Sequence, residues 1–292
     1  MSAAALKLSG FAAALVLVFA AATAVGSAFG PLRDGDADAE STPEHGEMGE
    51  MEGGTHAAEG GHGAAQTVRG LAVSEDGLSL RLDTATAPLG RTAPLRFRVV
   101  AADGTTVEDF DVEHTKRMHL IVVRRDLTGF QHLHPTQAAD GEWSVPLRLD
   151  EPGSYRVFAD FSHDGTPRTL ATDLQVDGPV RSRPLPAPAP SAATDGYEVR
   201  LASGDAHAGE EAELSFTVSR DGRAVPLADY LGAKGHLVAL REGDLAFLHV
   251  HPDEDRLRFM ATFPSAGRYR LFLQFKAGGS VHTAAFTEEV SR

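Results

Sequence analysis

MHLIVVRRDLTGFQHLHP at residues 118–135 returns as GHLVALREGDLAFLHVHP at residues 235–252. Aligned without a gap from His119 and His236, the two match at His, Leu, Arg, Phe, His, His and Pro, seven of seventeen positions. The likeness continues downstream, where PGSYRVFADF at 152–161 matches AGRYRLFLQF at 266–275. Upstream, Leu95, Phe97 and Val99 match Leu214, Phe216 and Val218. Self-similarity at so long a period marks repeated units of structure. Each copy spans about 100 residues, the usual size of a single core.

Short alternating or apolar runs recur in both copies. The first has LSLRL, PLRFRVV, MHLIVV, WSVPLRL, YRVFADF and TLATDLQV; the second has YEVRLA, ELSFTV, HLVAL, LAFLHV, LRFMATF, YRLFLQF and HTAAFTEEV. Asp-Gly or Pro-Gly pairs at 76–77, 103–104, 140–141, 152–153 and 164–165 punctuate the first copy. Turn dipeptides at such intervals between β-type runs, with no helical period of comparable strength, predict an all-β chain of two tandem β-sandwich domains. The expected domains cover residues 67–177 and 196–292. GPVRSRPLPAPAPSAATD at 178–195 reads as a semi-rigid Pro/Ala linker.

The chain has 292 residues and 42% hydrophobic content, enough for two cores. A net charge of −14 excludes nucleic acid as a partner, because phosphate binding needs clustered Lys and Arg. The absence of cysteine removes disulfides, thiolate ligands and a Cys nucleophile.

After Lys7 the sequence runs uncharged from Leu8 to Phe29, long enough for the roughly 20 residues that span a bilayer core. Residues 1–30 are therefore expected to form a single-pass transmembrane helix, with the bulk of the chain extracytoplasmic at the cell membrane. A signal peptide is the alternative, since Ala22-Thr23-Ala24 and Gly26-Ser27-Ala28 resemble cleavage sites and cleavage would release the protein. Residues 31–66 are acidic, rich in Gly and Ala, and poor in large apolar residues, so a disordered tether is expected. The tether carries His45, Met48, Met51, His56 and His62. Imidazole and thioether on a flexible chain suit copper in either oxidation state, while the plainer alternative is a linker of biased composition.

The repeated stretch carries the most chemistry. In a strand, residues two apart face one side, so His132 and His134 project together, as do His249 and His251. If the preceding strand folds back as a hairpin, His119 joins the first pair and His236 the second. Three imidazoles suit Cu(II) or Zn(II), with a position left open. Met118 would add a soft ligand to the first set only, because Gly235 stands at that place in the second. A blue-copper centre is excluded for want of a thiolate. The alternative is a duplicated packing pattern with its histidines hydrogen-bonded to backbone. Arg124 and Arg241 read as structural, and His114, His207 and His282 have no counterparts to suggest a role. No GxSxG, HExxH or phosphate loop is present, and a non-catalytic protein is expected.

The MHLxxVxxDLxxFQHLHP pattern, with a GxYRxFxxF strand after it and an apolar leader and His/Met-rich tether before it, resembles a group of exported bacterial proteins labelled heavy-metal or copper associated. It is also loosely similar to YtkA-like Ig-type domains. The resemblance implies Ig-like or cupredoxin-like sandwiches and copper handling, with zinc as the alternative metal. A rival expectation is a structural or interaction module that contacts a membrane or exported protein partner.

Overall fold

The structure, a computed structural model, describes residues 68–292 apart from 249 and 254 and the side chains of 251 and 252. The expected anchor over 1–30 and the tether over 31–66, with its five His and Met residues, lie outside the described residues. Among the described residues the regular structure is all strand, and no helix is long and apolar enough to cross a membrane.

The first repeat contributes β1 (Ser74–Glu75), β2 (Leu78–Leu82), β3 (Ala93–Val100), β4 (His119–Arg124), β5 (Gln131–Leu133), β6 (Thr136–Gln137), β7 (Trp143–Leu147), β8 (Gly153–His163) and β9 (Thr166–Val176). They form two sheets, ordered β1-β2-β3-β7-β6 and β5-β4-β8-β9. Alternation does the folding here: β3 turns Leu95, Phe97 and Val99 inward, and β7 turns in Trp143, Val145 and Leu147. These meet Leu120, Val122, Tyr155 and Val157 of the other sheet in one apolar core. Asp164-Gly165 closes the β8–β9 hairpin with both residues at positive φ, the conformation that a two-residue hairpin turn demands.

The second repeat contributes β10 (Ser191–Thr194), β11 (Tyr197–Ser203), β12 (Glu211–Arg220), β13 (Arg223–Ala224), β14 (Gly235–Arg241), β15 (Phe247–Leu248), β16 (His251–Pro252), β17 (Arg258–Thr262), β18 (Gly267–Ala277) and β19 (Ser280–Val290). Its sheets are β10-β11-β12-β17-β16, with β13 on β12, and β15-β14-β18-β19. A separate core lies between them. The tyrosine hydroxyls repeat as well: Tyr155 donates to the Glu151 carbonyl at 2.8 Å and Tyr269 to that of Ser265 at 2.9 Å. A corner tyrosine of this kind is a feature of immunoglobulin-type sandwiches.

β4 buries all six of its residues, which one sandwich core cannot explain. Leu120 and Val122 face the core of the first repeat, while Ile121 and Val123 face the second repeat. There they join Leu127, Phe158 and Ala171 in an apolar joint with Val238, Leu240, Leu245, Phe247, Phe272 and Ala285. Both repeats belong to one compact unit, Gly61–Arg292.

The joint uses equivalent positions of the two copies. Phe130 stacks on Phe272 at 4.1 Å, and Phe158 meets Phe247 at 5.6 Å. Since Phe130 corresponds to Phe247 and Phe158 to Phe272, these are one contact made twice. Such self-complementary pairing characterises a two-fold interface, here formed inside a single chain. Gly70 lies in the joint at φ +72°, where a Cβ would approach both Phe158 and Phe247 to 2.8 Å, so only glycine fits.

The linker is more structured than a spacer. Its last residues pair as β10 with β11, Leu185 is buried in the joint, and the Arg183 amide donates to Asp126 at 3.0 Å.

Candidate metal centre

The β4–β5 hairpin sets Ile121 opposite His132 and Leu120 opposite Leu133. Leu133 therefore packs against the first core, while His132 faces the joint between repeats. His119, His132 and His134 converge there, each offering a nitrogen, with the three donor atoms all within 4.8 Å of one another. The ring centroids are 5.2 Å apart for His119 and His132, 5.1 Å for His119 and His134, and 4.8 Å for His132 and His134. Imidazoles sharing one tetrahedral ion at metal–nitrogen distances of about 2.0 Å would stand about 5 Å apart.

The hydrogen bonds around the rings are more telling. His119 Nε2 lies 3.2 Å from the Glu113 carbonyl oxygen, which only an N–H can approach favourably. His132 Nδ1 lies 2.7 Å from Gln274 Oε1, and Gln274 Nε2 donates to Thr283 Oγ1 at 3.3 Å. Both outer nitrogens are then proton donors. The inner pair, His119 Nδ1 and His132 Nε2, face each other at 3.0 Å with a lone pair on each. Two neutral rings carry two protons for these three contacts, so one contact lacks a hydrogen in every neutral arrangement of the placed groups. A cation between the inner nitrogens resolves this, and an outer N–H held by an oxygen is the usual support of a metal-bound histidine. His134 Nε2 is buried without a hydrogen-bond partner among the described residues.

The electrostatics keep the rings available as ligands. Burial, reinforced by His119 and His134, pushes His132 down to about 3, against the hydrogen bond to Gln274. Burial, with His119 and Lys116, pushes His134 down to about 4. Burial also lowers His119, against the opposing pull of Asp160 and the Glu113 carbonyl. These rings are neutral at pH 7, the form that binds metal.

The sequence groups His236 with His249 and His251, and the structure sets its ring beside the first set as well. Its ring is parallel to that of His119 at 5.4 Å and lies 4.9 Å from that of His132. Burial, with the neighbouring histidines, lowers it well below the usual imidazole value. Its expected partners cannot be placed, because His249 and the His251 side chain lie outside the described residues. Met118 is buried in the first core, on the face of the chain opposite His119, and is not at the centre. Gly235 stands in its place in the second copy because a Cβ there would collide with Leu257 and lie 2.8 Å from the Gln274 carbonyl oxygen.

Three neighbours were missed by sequence reasoning. His114, at φ +45° in the loop before β4, has its ring 5.5 Å from His236 and 6.3 Å from His119. Having no counterpart in the other copy, it carried no repeat signal. Gln274 and Glu113 act through a side-chain amide and a backbone carbonyl, which no spacing reveals. Beside the centre, Glu113, His114, His119, Asp160 and His236 line a cavity of about 30 Å³, with Leu237, Phe247 and Val250 among its apolar walls.

Comparison with known proteins gives a family but no activity. No curated protein matches the chain. Among solved structures, FdeC, an adhesin of Escherichia coli, is similar at 15% identity and TM-score 0.27, with 76% of this chain and 66% of that chain covered. An α2-macroglobulin from Salmonella is similar at 14% identity and TM-score 0.28, over 78% of this chain and 15% of that one. A putative membrane anchored protein from Corynebacterium diphtheriae is similar at 10% identity and TM-score 0.24, over 75% and 59%. The chain thus spans just under two thirds of the adhesin and a small part of the macroglobulin. Residues 72–178 and again 192–292 match the model of one family, Domain of unknown function (DUF8832), and the chain belongs to that family through both of its repeats.

Proposed function

We propose that this chain is a non-catalytic, extracytoplasmic metal-binding protein, held at the membrane by its N-terminal segment, and that His119, His132 and His134 bind its metal. The observation that carries the reading is the close approach of His119 Nδ1 and His132 Nε2, at 3.0 Å, while the other ring nitrogens meet the Glu113 carbonyl and Gln274 Oε1. The Nε2 of His134, buried without a partner among the described residues, supports it. All-imidazole coordination with no thiolate or thioether suits Cu(II) or Zn(II). Copper is favoured by the His and Met residues of the tether and by the resemblance to copper-associated exported proteins. Storage, delivery and tolerance all fit such a protein. A second set, His236 with His249 and His251, and a tether set, His45, Met48, Met51, His56 and His62, extend the same proposal.

The test compares the full chain with a His132→Ala/His134→Ala variant by Cu(II) and Zn(II) titration and thermal melting. Loss of one tight equivalent is expected. Metal at a thousandfold over Kd adds about 4 kcal/mol to the native state, on the order of 10 °C in melting temperature for a chain of this size. The variant should lose the part of that rise that comes from the centre. Equal stoichiometry and equal shifts in both proteins would overturn the reading. The histidines would then be a packing cluster, with the Gln274 amide turned to complete a chain of hydrogen bonds and the sandwiches serving as a structural module.

A further inference from the structure

All three proposed ligands come from the first repeat, yet the group that orients one of them comes from the second. Gln274 lies on β18, is 7% exposed, and accepts the His132 Nδ1–H at 2.7 Å across the joint. Its own amide nitrogen is turned to Thr283 on β19, so the second repeat fixes its orientation. His236, on β14, lays its ring against the rings of His119 and His132 from the same side. The position in the first repeat that corresponds to Gln274 is Asp160, opposite His119 in the β4–β8 pairing and engaged by the Thr169 hydroxyl at 2.7 Å. The two copies have therefore diverged at this place, one keeping a carboxylate and the other presenting an amide to a ligand of its neighbour.

We propose that the metal centre is a clasp between the repeats: Gln274 is a positioning residue for His132, so binding the metal tightens the joint, and opening the joint releases the metal. The inference rests on the metal reading above. If the second repeat must be docked for His132 to present Nε2, the affinity for metal contains the docking equilibrium. Coupling of this kind is reciprocal, so the metal must favour docking by the factor by which docking favours the metal. One backbone contact reports on the joint directly, because the Phe247 amide donates to the Arg69 carbonyl oxygen of the other repeat at 2.9 Å.

The experiment uses the full chain with Zn(II) as the probe, comparing wild type, Gln274→Met and Gln274→Glu. Removing the acceptor while keeping the shape, as in Gln274→Met, should weaken Zn(II) binding about 10- to 100-fold, the usual loss when a ligand's outer partner is removed. Gln274→Glu keeps the acceptor and adds charge, so it should bind more tightly than wild type. In wild type, Zn(II) should slow hydrogen exchange of the Phe247 amide, and in Gln274→Met this protection should be reduced at equal Zn(II). Wild-type affinity in Gln274→Met, or Phe247 exchange indifferent to Zn(II) in wild type, would overturn the clasp and leave the metal reading standing. Unchanged binding in His132→Ala/His134→Ala would instead overturn the metal reading itself. Should Gln274→Met fail to fold, weaker binding by Gln274→Glu than by wild type refutes the inference alone.

Discussion

Taken from pH 7 to pH 5 without metal, the protein loses about 2 kcal/mol of stability through His132 alone. In the unfolded chain this imidazole titrates near 6.5. In the native state burial pushes it down to about 3. Between those values the unfolded chain takes up a proton that the native protein refuses. The stability is therefore fully present above about pH 6.5, falls as pH drops below it, and levels off only when the native ring protonates near 3. His119, His134 and His236 are lowered too and act in the same direction. Denaturant melts at half-unit pH steps read the slope, and a flat profile between pH 7 and 5 would contradict the burial of neutral rings. The same shifts move the metal titration. Free imidazoles would lose metal to protons as pH falls through about 6.5, as the sequence alone suggests. With His132 near 3, His134 near 4 and His119 also lowered, proton competition at the native centre should set in at lower pH than free imidazoles would show.

Much of this was legible in the sequence because it depends on short-range rules. Alternation gave the inward rows of β3 and β7, the Asp-Gly pair gave the β8–β9 turn, and period two put His132 and His134 on the face opposite Leu133. The sequence did not show what covers the outer face of β4. That depends on the fit of two apolar faces far apart in sequence, and Phe130 against Phe272 has no local signature. The same gap hid the neighbours of His236: spacing tied it to His249 and His251, and nothing local showed that the two-fold packing of the repeats also lays it on His119. Met118 showed the opposite failure: its chemistry suggested a ligand, but its place in the alternation sends it into the first core.

Asp126→Ala should cost about 1 to 3 kcal/mol, the range for leaving buried polar partners unsatisfied, whereas removing the partner of Arg241 in the second repeat, Asp244→Ala, should cost about 1 kcal/mol or less. Arg124 and Asp126 have side chains only 5% and 7% exposed, joined through Nε at 2.8 Å and Nη2 at 2.5 Å. Burial pushes the Asp126 carboxyl up, but the Arg124 guanidinium, the Thr128 hydroxyl and the Arg183 amide more than offset it, leaving the group well below the usual carboxylate range. Without Asp126 the guanidinium stays buried with Glu151 at 2.7 Å and the carbonyls of Pro152 and Arg181. The Thr128 hydroxyl and the Arg183 amide also lose their acceptor. In the second repeat Arg241 pairs with Asp244, but those side chains are 20% and 41% exposed, so water replaces the lost carboxylate at little cost. The two variants thus place the same chemistry at equivalent loops in different dielectric surroundings, and urea melts of both against wild type measure the difference. Equal losses would mean that burial does not set the strength of the pair. The Arg124 loop joins β4 to β5 and fixes His119 against His132, so Asp126→Ala should also weaken metal binding, while Asp244→Ala leaves the donor set of the first repeat unchanged.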